Sequence, residues 1–179
     1  MQARSAYRAR GEGVKQSIEL YRKALKRDPK FAPAWAGLAS SLAVLPWYVS
    51  EAERANTPAF MKEAEQAGKQ ALLLAPDLPQ GHTALAMVYT FQWQWALAEK
   101  HFKRALVLAP NDPEVYYNYA DWLAAMGRLE ESLISASKAV ALDPLVPIFL
   151  NGKGNALSRL GRAEEEVAVR QSAYALAPQ

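Results

Sequence analysis

Residues 79–110, PQGHTALAMVYTFQWQWALAEKHFKRALVLAP, begin and end on proline and carry the pattern that decides the fold. Within them Ala86, Ala98 and Ala105 are small, while Leu85, Tyr89 and Phe102 between them are large. Small residues let two antiparallel helices approach closely, and large ones fill the grooves of the neighbour. The stretch therefore reads as a helix pair, opened by Pro79 in a first helical turn, where a missing N–H costs nothing.

The same spacing extends outward in both directions. Pro29, Pro76, Pro110, Pro144 and Pro178 each follow an alanine by five residues, and the last four lie 34 residues apart. A constant internal period of this length specifies a repeat architecture before any local motif is read. With each of these prolines as position 32, position 27 is Ala24, Ala71, Ala105, Ala139 and Ala173, and position 8 is Ser5, Ala39, Ala86, Ala120 and Gly154. Position 20 is Ser17, Ala64, Ala98 and Ser132, until Glu166 breaks the rule. The copy from Pro113 to Pro144 supplies Tyr116, Ala120, Leu123, Gly127 and Ala139. This pattern resembles the tetratricopeptide repeat along essentially the whole chain. The resemblance implies an all-α fold, a right-handed α-solenoid of antiparallel helix pairs (A and B) with about five units, the first truncated. It predicts one domain, residues 1–179, with repeats near 1–31, 32–78, 79–112, 113–146 and 147–179.

Two of these repeats depart from the period or its start. In the first, position 4 already falls on Met1, so the chain reads as a piece of a longer protein. Residues 1–10 are expected to be the remnant of its helix A and residues 13–26 its helix B, with Gly11 and Gly13 marking the turn. In the second, Pro29 and Pro76 are 47 residues apart, 13 more than a period. The surplus is expected within residues 46–57, ahead of a helix N-capped by Thr57 and continued by Pro58. Repeats four and five turn at Gly127 and Gly161, whereas the third has Trp93 there, which cannot supply a glycine's flexibility. Neighbouring turns lie side by side in such arrays, so Trp47, Tyr48 and Trp93 are expected to form an aromatic cluster on one edge. Trp95 is read as a core residue.

Composition closes several classes of function. Hydrophobic residues make up 51% and charged residues 22%, a balance suited to a globular fold and not to disorder. No apolar run has the roughly 18–20 residues of a membrane span, and the N-terminus lacks the apolar stretch of a signal peptide, so a cytoplasmic protein without membrane contact is expected. With no cysteine, disulfides, thiolate metal sites and cysteine nucleophiles are excluded together. The net charge of +3 conceals an asymmetry: residues 1–30 hold nine Lys/Arg against three Asp/Glu. The cluster Arg22, Lys23, Lys26, Arg27 and Lys30 reads as a solvated helix face. No interleaved aromatics accompany it, which argues against nucleic acid as the partner.

Catalytic constellations are missing. The two histidines, His82 and His101, fall on different helices at positions read as not facing one another, so no metal or base–orienter pair is expected. Glu164, Glu165 and Glu166 begin a helix, where unpaired N–H groups favour negative charge without any catalytic role. No phosphate-binding loop or Gly-x-Ser-x-Gly elbow occurs. The reading is a non-enzyme without cofactor.

Binding is expected on the concave face, which the resemblance assigns to positions 2, 5, 9 and 12 of each helix A. These supply Ser40, Gln80, Thr83, Met87, Thr90, Glu114, Tyr117, Asp121, Asn151 and Asn155, with Ala36 and Ala43 at the edge. Some members of the family grip a chaperone's C-terminal carboxylate with lysines, arginines and asparagines from such positions. Here position 5 is Ala36, Thr83, Tyr117 and Asn151, no lysine or arginine lines the face, and that clamp is absent. The groove suits a protein or peptide held by amide hydrogen bonds, Tyr117 and Met87. The long second repeat, the Trp-x-Trp turn and ALDPLVP at residues 141–147 are similar to the C-terminal repeat regions of bacterial multidomain regulators of winged-helix, cyclase or kinase type, often with a TolB-like segment. That likeness implies a regulatory or dimerisation role. Lys153, Glu166 and Arg170 read as a polar end cap, yet Val167 and Tyr174 stay uncovered, which predicts weak self-association through a terminal repeat.

Overall fold

The computed structural model describes residues 2–176; Met1 and the last signature proline, Pro178, lie outside them. Among the described residues are eleven α-helices, one short 3-10 turn and no strand. The chain divides into two compact units, one ending at Leu108 and the other beginning at Ala109.

The first unit contains α1 (Gln2–Ala9), α2 (Glu12–Arg27), α3 (Ala32–Val44), α4 (Glu51–Arg54), α5 (Thr57–Leu74), α6 (Pro79–Phe91) and α7 (Trp95–Leu108). Its helices pair α1 with α2, α3 with α5 and α6 with α7, and the A helices α3 and α6 lie against each other. Val14, Ile18, Leu38, Leu42, Ala64 and Val88 share one core. Phe102 is 1% exposed, and burying such a ring contributes about 1.5–3 kcal/mol.

In the second unit α8 (Pro113–Ala125) pairs with α9 (Leu129–Leu142) and α10 (Pro147–Arg159) with α11 (Ala163–Leu176). Leu133, Ala156 and Leu157 form a core to which Leu160 and Val169 add. Pro79, Pro113 and Pro147 each occupy the first turn of their helix. Asp112 caps α8 by accepting a hydrogen bond from the Glu114 N–H at 3.0 Å, a bond that satisfies one of the helix's orphan donors.

A recurrent bond ties three of the signature prolines to the helix that follows. The Trp35 indole N–H donates to the Pro29 carbonyl at 2.8 Å and the Tyr116 hydroxyl to the Pro110 carbonyl at 3.1 Å, while His82 Nε2 meets the Pro76 carbonyl at 3.0 Å. All three residues occupy position 4. A proline carbonyl only accepts, so His82 must carry its proton on Nε2.

Helix A ends alike in the last three repeats. Trp93, Gly127 and Gly161 have φ of 62°, 73° and 72°. The N–H after each, on Gln94, Arg128 and Arg162, returns to Tyr89, Leu123 and Leu157 at 2.9, 2.9 and 3.0 Å. This is the Schellman closure of a helix. Trp93 therefore adopts the left-handed backbone that the other two repeats assign to glycine.

Two sequence expectations are corrected here. The α1–α2 turn is made by Arg10 and Gly11, with φ of 60° and 51°; Gly13 lies inside α2. A Cβ on Gly13 would come within 2.3 Å of the Ala6 carbonyl oxygen, so this glycine serves close helix approach and not the turn. Thr57 is not the N-cap of α5. Asn56 holds that place without a side-chain cap bond, and the Thr57 hydroxyl donates to the Arg54 carbonyl at 2.6 Å. The reason is α4, whose final carbonyls lie directly before α5 and take the hydroxyl. Between α3 and α5 the chain makes a 3-10 turn, Leu45–Trp47, and then α4, started by a reciprocal capping box of Ser50 and Glu53.

Candidate binding faces

In the first unit the expected lining residues are largely committed inward. Thr83 is 6% exposed, and its hydroxyl donates to the Pro79 carbonyl at 3.0 Å. Thr90 donates to the Ala86 carbonyl at 2.8 Å, Met87 packs on the core, and Ala36 and Ala43 are buried. Ser40 and Gln80 are half-buried on α3 and α6.

The second unit arranges its lining differently. Tyr117 on α8 is half-buried, with its ring centroid 5.7 Å from that of Phe149 on α10 at a 47° tilt. Gly152 makes this position available, because a Cβ there would come within 2.8 Å of Tyr117 Cε2. A phenylalanine and a glycine on one helix thus fix a tyrosine on the next. Asn151 is half-buried, and no described residue engages its amide. Glu114 is half-buried, whereas Asp121 and Asn155 are exposed. Asn118 is no ligand candidate: it is buried and donates to the Glu114 carbonyl at 2.7 Å. Sequence reasoning missed Phe149 and Gly152. The signal was available, since Gly152 is one residue beyond position 5 of a helix that has no turn there.

Asn155 joins the end of the chain's described part. Its Oδ1 accepts from Arg170 Nη2 at 3.1 Å, and Arg170 Nε donates to Glu166 at 2.8 Å. Hydrogen bonds from Arg170 and Ser158 hold the Glu166 carboxyl below the usual carboxylate range. Val167 and Tyr174 remain 55% and 69% exposed on α11.

The expected edge aromatics are all in the first unit. Trp47 and Trp93 are 73% and 75% exposed, while Tyr48 is half-buried against the core. Trp93 makes an edge-to-face contact with Trp95, with centroids 5.2 Å apart at 82°; Trp95 is half-buried. The turn is tied to α5 through Gln94, which donates to Gln92 at 3.0 Å, and Gln92, which donates to Glu65 at 2.9 Å. That amide and the Lys69 ammonium lower the Glu65 pKa. In the basic cluster, Arg22 pairs with Glu63 at 2.7 Å, an exposed bridge of at most about 1 kcal/mol.

The histidines require a correction. His82 and His101 do face one another, with Nδ1 atoms 3.0 Å apart. Positions 4 and 23 meet in the fourth repeat as well, where Ser135 donates to the Tyr116 carbonyl at 2.9 Å. Burial, with His82 and Lys100 nearby, pushes the His101 pKa down to about 4, and burial also lowers that of His82.

Paired helices, Schellman turns and proline-anchored position-4 residues define a helical-repeat scaffold. The tetratricopeptide repeat family model matches residues 113–144. Solved structures of that fold align over most of the chain. MamA is 17% identical, with 92% of this chain and 89% of that chain covered and a TM-score of 0.60. YrrB, described as a TPR protein with an unusual peptide-binding site, is 22% identical, with coverage of 94% and 80% and a TM-score of 0.58. TTC0263, a thermophilic TPR protein in Thermus thermophilus, is 24% identical, with coverage of 82% and 73% and a TM-score of 0.64. No curated protein matches the sequence significantly. The fold is thus that of tetratricopeptide-repeat proteins, generally scaffolds for protein interaction, and no catalytic family is indicated. Among the described residues no helix is long and apolar enough to cross a membrane.

Proposed function

We propose that this chain is a non-catalytic, cytoplasmic protein-interaction module that holds a peptide or partner domain against the inner faces of its A helices. The main contact is the α8–α10 face of the second unit. The observation that carries this reading is Tyr117, half-exposed and held in place by Phe149 and Gly152 of α10, the helix that also carries the uncommitted amide of Asn151. An aromatic ring fixed before binding loses little entropy on contact, and an amide supplies both a donor and an acceptor to a peptide backbone. Glu114 and Asp121 add negative charge to the face, which favours a neutral or basic segment. On the first unit, taken by itself, Ser40 and Gln80 offer polar contacts on α3 and α6, and Thr83, Met87 and Thr90 serve mainly as support. Selection from a displayed random-peptide library, followed by titration, tests it. Tyr117→Ala with Asn151→Ala is expected to weaken the selected peptide at least tenfold; unchanged affinity contradicts the assignment.

The exposed Val167 and Tyr174 support a second reading, in which the module associates with another copy or with an effector domain of a larger bacterial regulator. Sedimentation at high concentration is expected to show weak self-association that Tyr174→Glu removes. A monomer at every concentration argues against it.

A further inference from the structure

We propose that His82 and His101 form a two-imidazole site for a divalent transition-metal ion of the nickel or copper type, bridging α6 and α7 of the third repeat. The two Nδ1 atoms are 3.0 Å apart. His82 has its far ring nitrogen engaged, because its Nε2–H is spent on the Pro76 carbonyl, which leaves the Nδ1 lone pair to His101 or to an ion. A backbone carbonyl holding the far ring nitrogen is the usual support of a metal-bound histidine. In the metal-free chain His101 donates its Nδ1–H to that lone pair. On binding, the His101 proton moves to Nε2, both rings turn off the N–N line so that the two Nδ1 lone pairs converge on the ion, and the pair releases no net proton.

The helix pair does not require imidazoles at these positions. The corresponding residues of the fifth repeat are Leu150, which is buried, and Val169, which packs on the apolar core. In the fourth repeat they are Tyr116 and Ser135, joined by a single hydrogen bond to backbone. Tyr116 and Trp35 also make the proline bond without offering a second ring nitrogen. Only the third repeat places two ligand-type nitrogens at this crossing.

Imidazole suits nickel and copper, whose octahedral or tetragonal coordination takes two cis nitrogens about 3 Å apart once the rings have turned. The charged neighbours are Lys100, Arg104 and Asp77, the last two paired with each other, and the Tyr89 ring stands 5.5 Å from His101. Among the described residues no group of three metal-ligating side chains forms. Water completes the coordination sphere, and two nearby cations keep the affinity moderate.

The test uses the untagged 179-residue chain and nickel chloride alone, by calorimetry. One ion per chain is expected, with roughly tenfold or greater loss of affinity in each of His82→Gln and His101→Gln. Far-UV circular dichroism confirms that the variants fold. Paramagnetic broadening in the unaltered chain provides an independent arm, expected to centre on the His82 and His101 imidazole resonances. The proposal is overturned by absence of saturable binding, by either folded variant binding as tightly as the unaltered chain, or by broadening centred elsewhere.

Discussion

The third repeat and its two successors share a length of 34 residues, a first-turn proline and a Schellman turn, yet they reach that turn with different chemistry. Gly127 and Gly161 enter the left-handed region freely, with φ of 73° and 72°. Trp93 adopts a φ of 62° while leaving its indole 75% exposed. A bulky residue in that region costs about 1–2 kcal/mol, and an exposed indole recovers little of it by burial. The third repeat also places two histidines at a crossing that is apolar in the fifth. The comparison separates what the fold demands, namely small residues at close approach and a closed helix end, from what individual repeats add.

The largest effect tests the shared part. Phe102→Ala in the third repeat is expected to destabilise the chain by about 3–5 kcal/mol in urea denaturation, because the ring is 1% exposed. A cost below about 1 kcal/mol would mean that the core of this repeat is not what holds it. Gly152→Ala comes next, at about 1–3 kcal/mol, since the new methyl meets the Tyr117 ring; loss of peptide binding in the same variant would tie the fold to the proposed face.

The turns themselves are compared by exchange. Gly127→Trp imposes on the fourth repeat the backbone cost of the third and is expected to destabilise by about 1–2 kcal/mol. At the other site, Trp93→Gly is expected to be about 1 kcal/mol more stable than Trp93→Ala: both lose the contact with Trp95, but only glycine relieves the backbone. Equal stability of the two would show that the left-handed conformation is not strained.

A pH slope probes the histidine crossing. An unfolded histidine binds its proton near 6.5, the folded His101 only near about 4. Between these values the unfolded chain binds more protons, so stability is full above the upper one and falls as pH drops toward the lower. His82 acts in the same direction. Denaturation of His101→Gln across this window is expected to show a shallower slope than the unaltered chain.

Much of this was legible in the sequence. Small residues at positions 8 and 27 and the spacing of the prolines identified the helix pairs, since both follow from how closely two helices can approach. Tyr117 stood out as the one large aromatic among the lining positions, but its supports did not: Phe149 and Gly152 act from the neighbouring helix, across a contact that a one-dimensional pattern does not contain. The His82–His101 contact was misread for the same reason, although Tyr116 and Ser135 occupy the same pair of positions one repeat later. The Thr57 cap failed because the Ser50–Glu53 capping box was overlooked and a short helix precedes α5. Trp93 was the hardest to read, because nothing local favours an indole at positive φ; the helix-closing bonds of its neighbours impose it.

The interaction role is tested most directly by capture from a cell lysate, comparing the unaltered chain with its Tyr117→Ala, Asn151→Ala variant at matched fold content. The account predicts a defined set of bound proteins that the variant loses by at least tenfold while its circular dichroism stays unchanged. The same proteins retained at the same levels by the variant would contradict it.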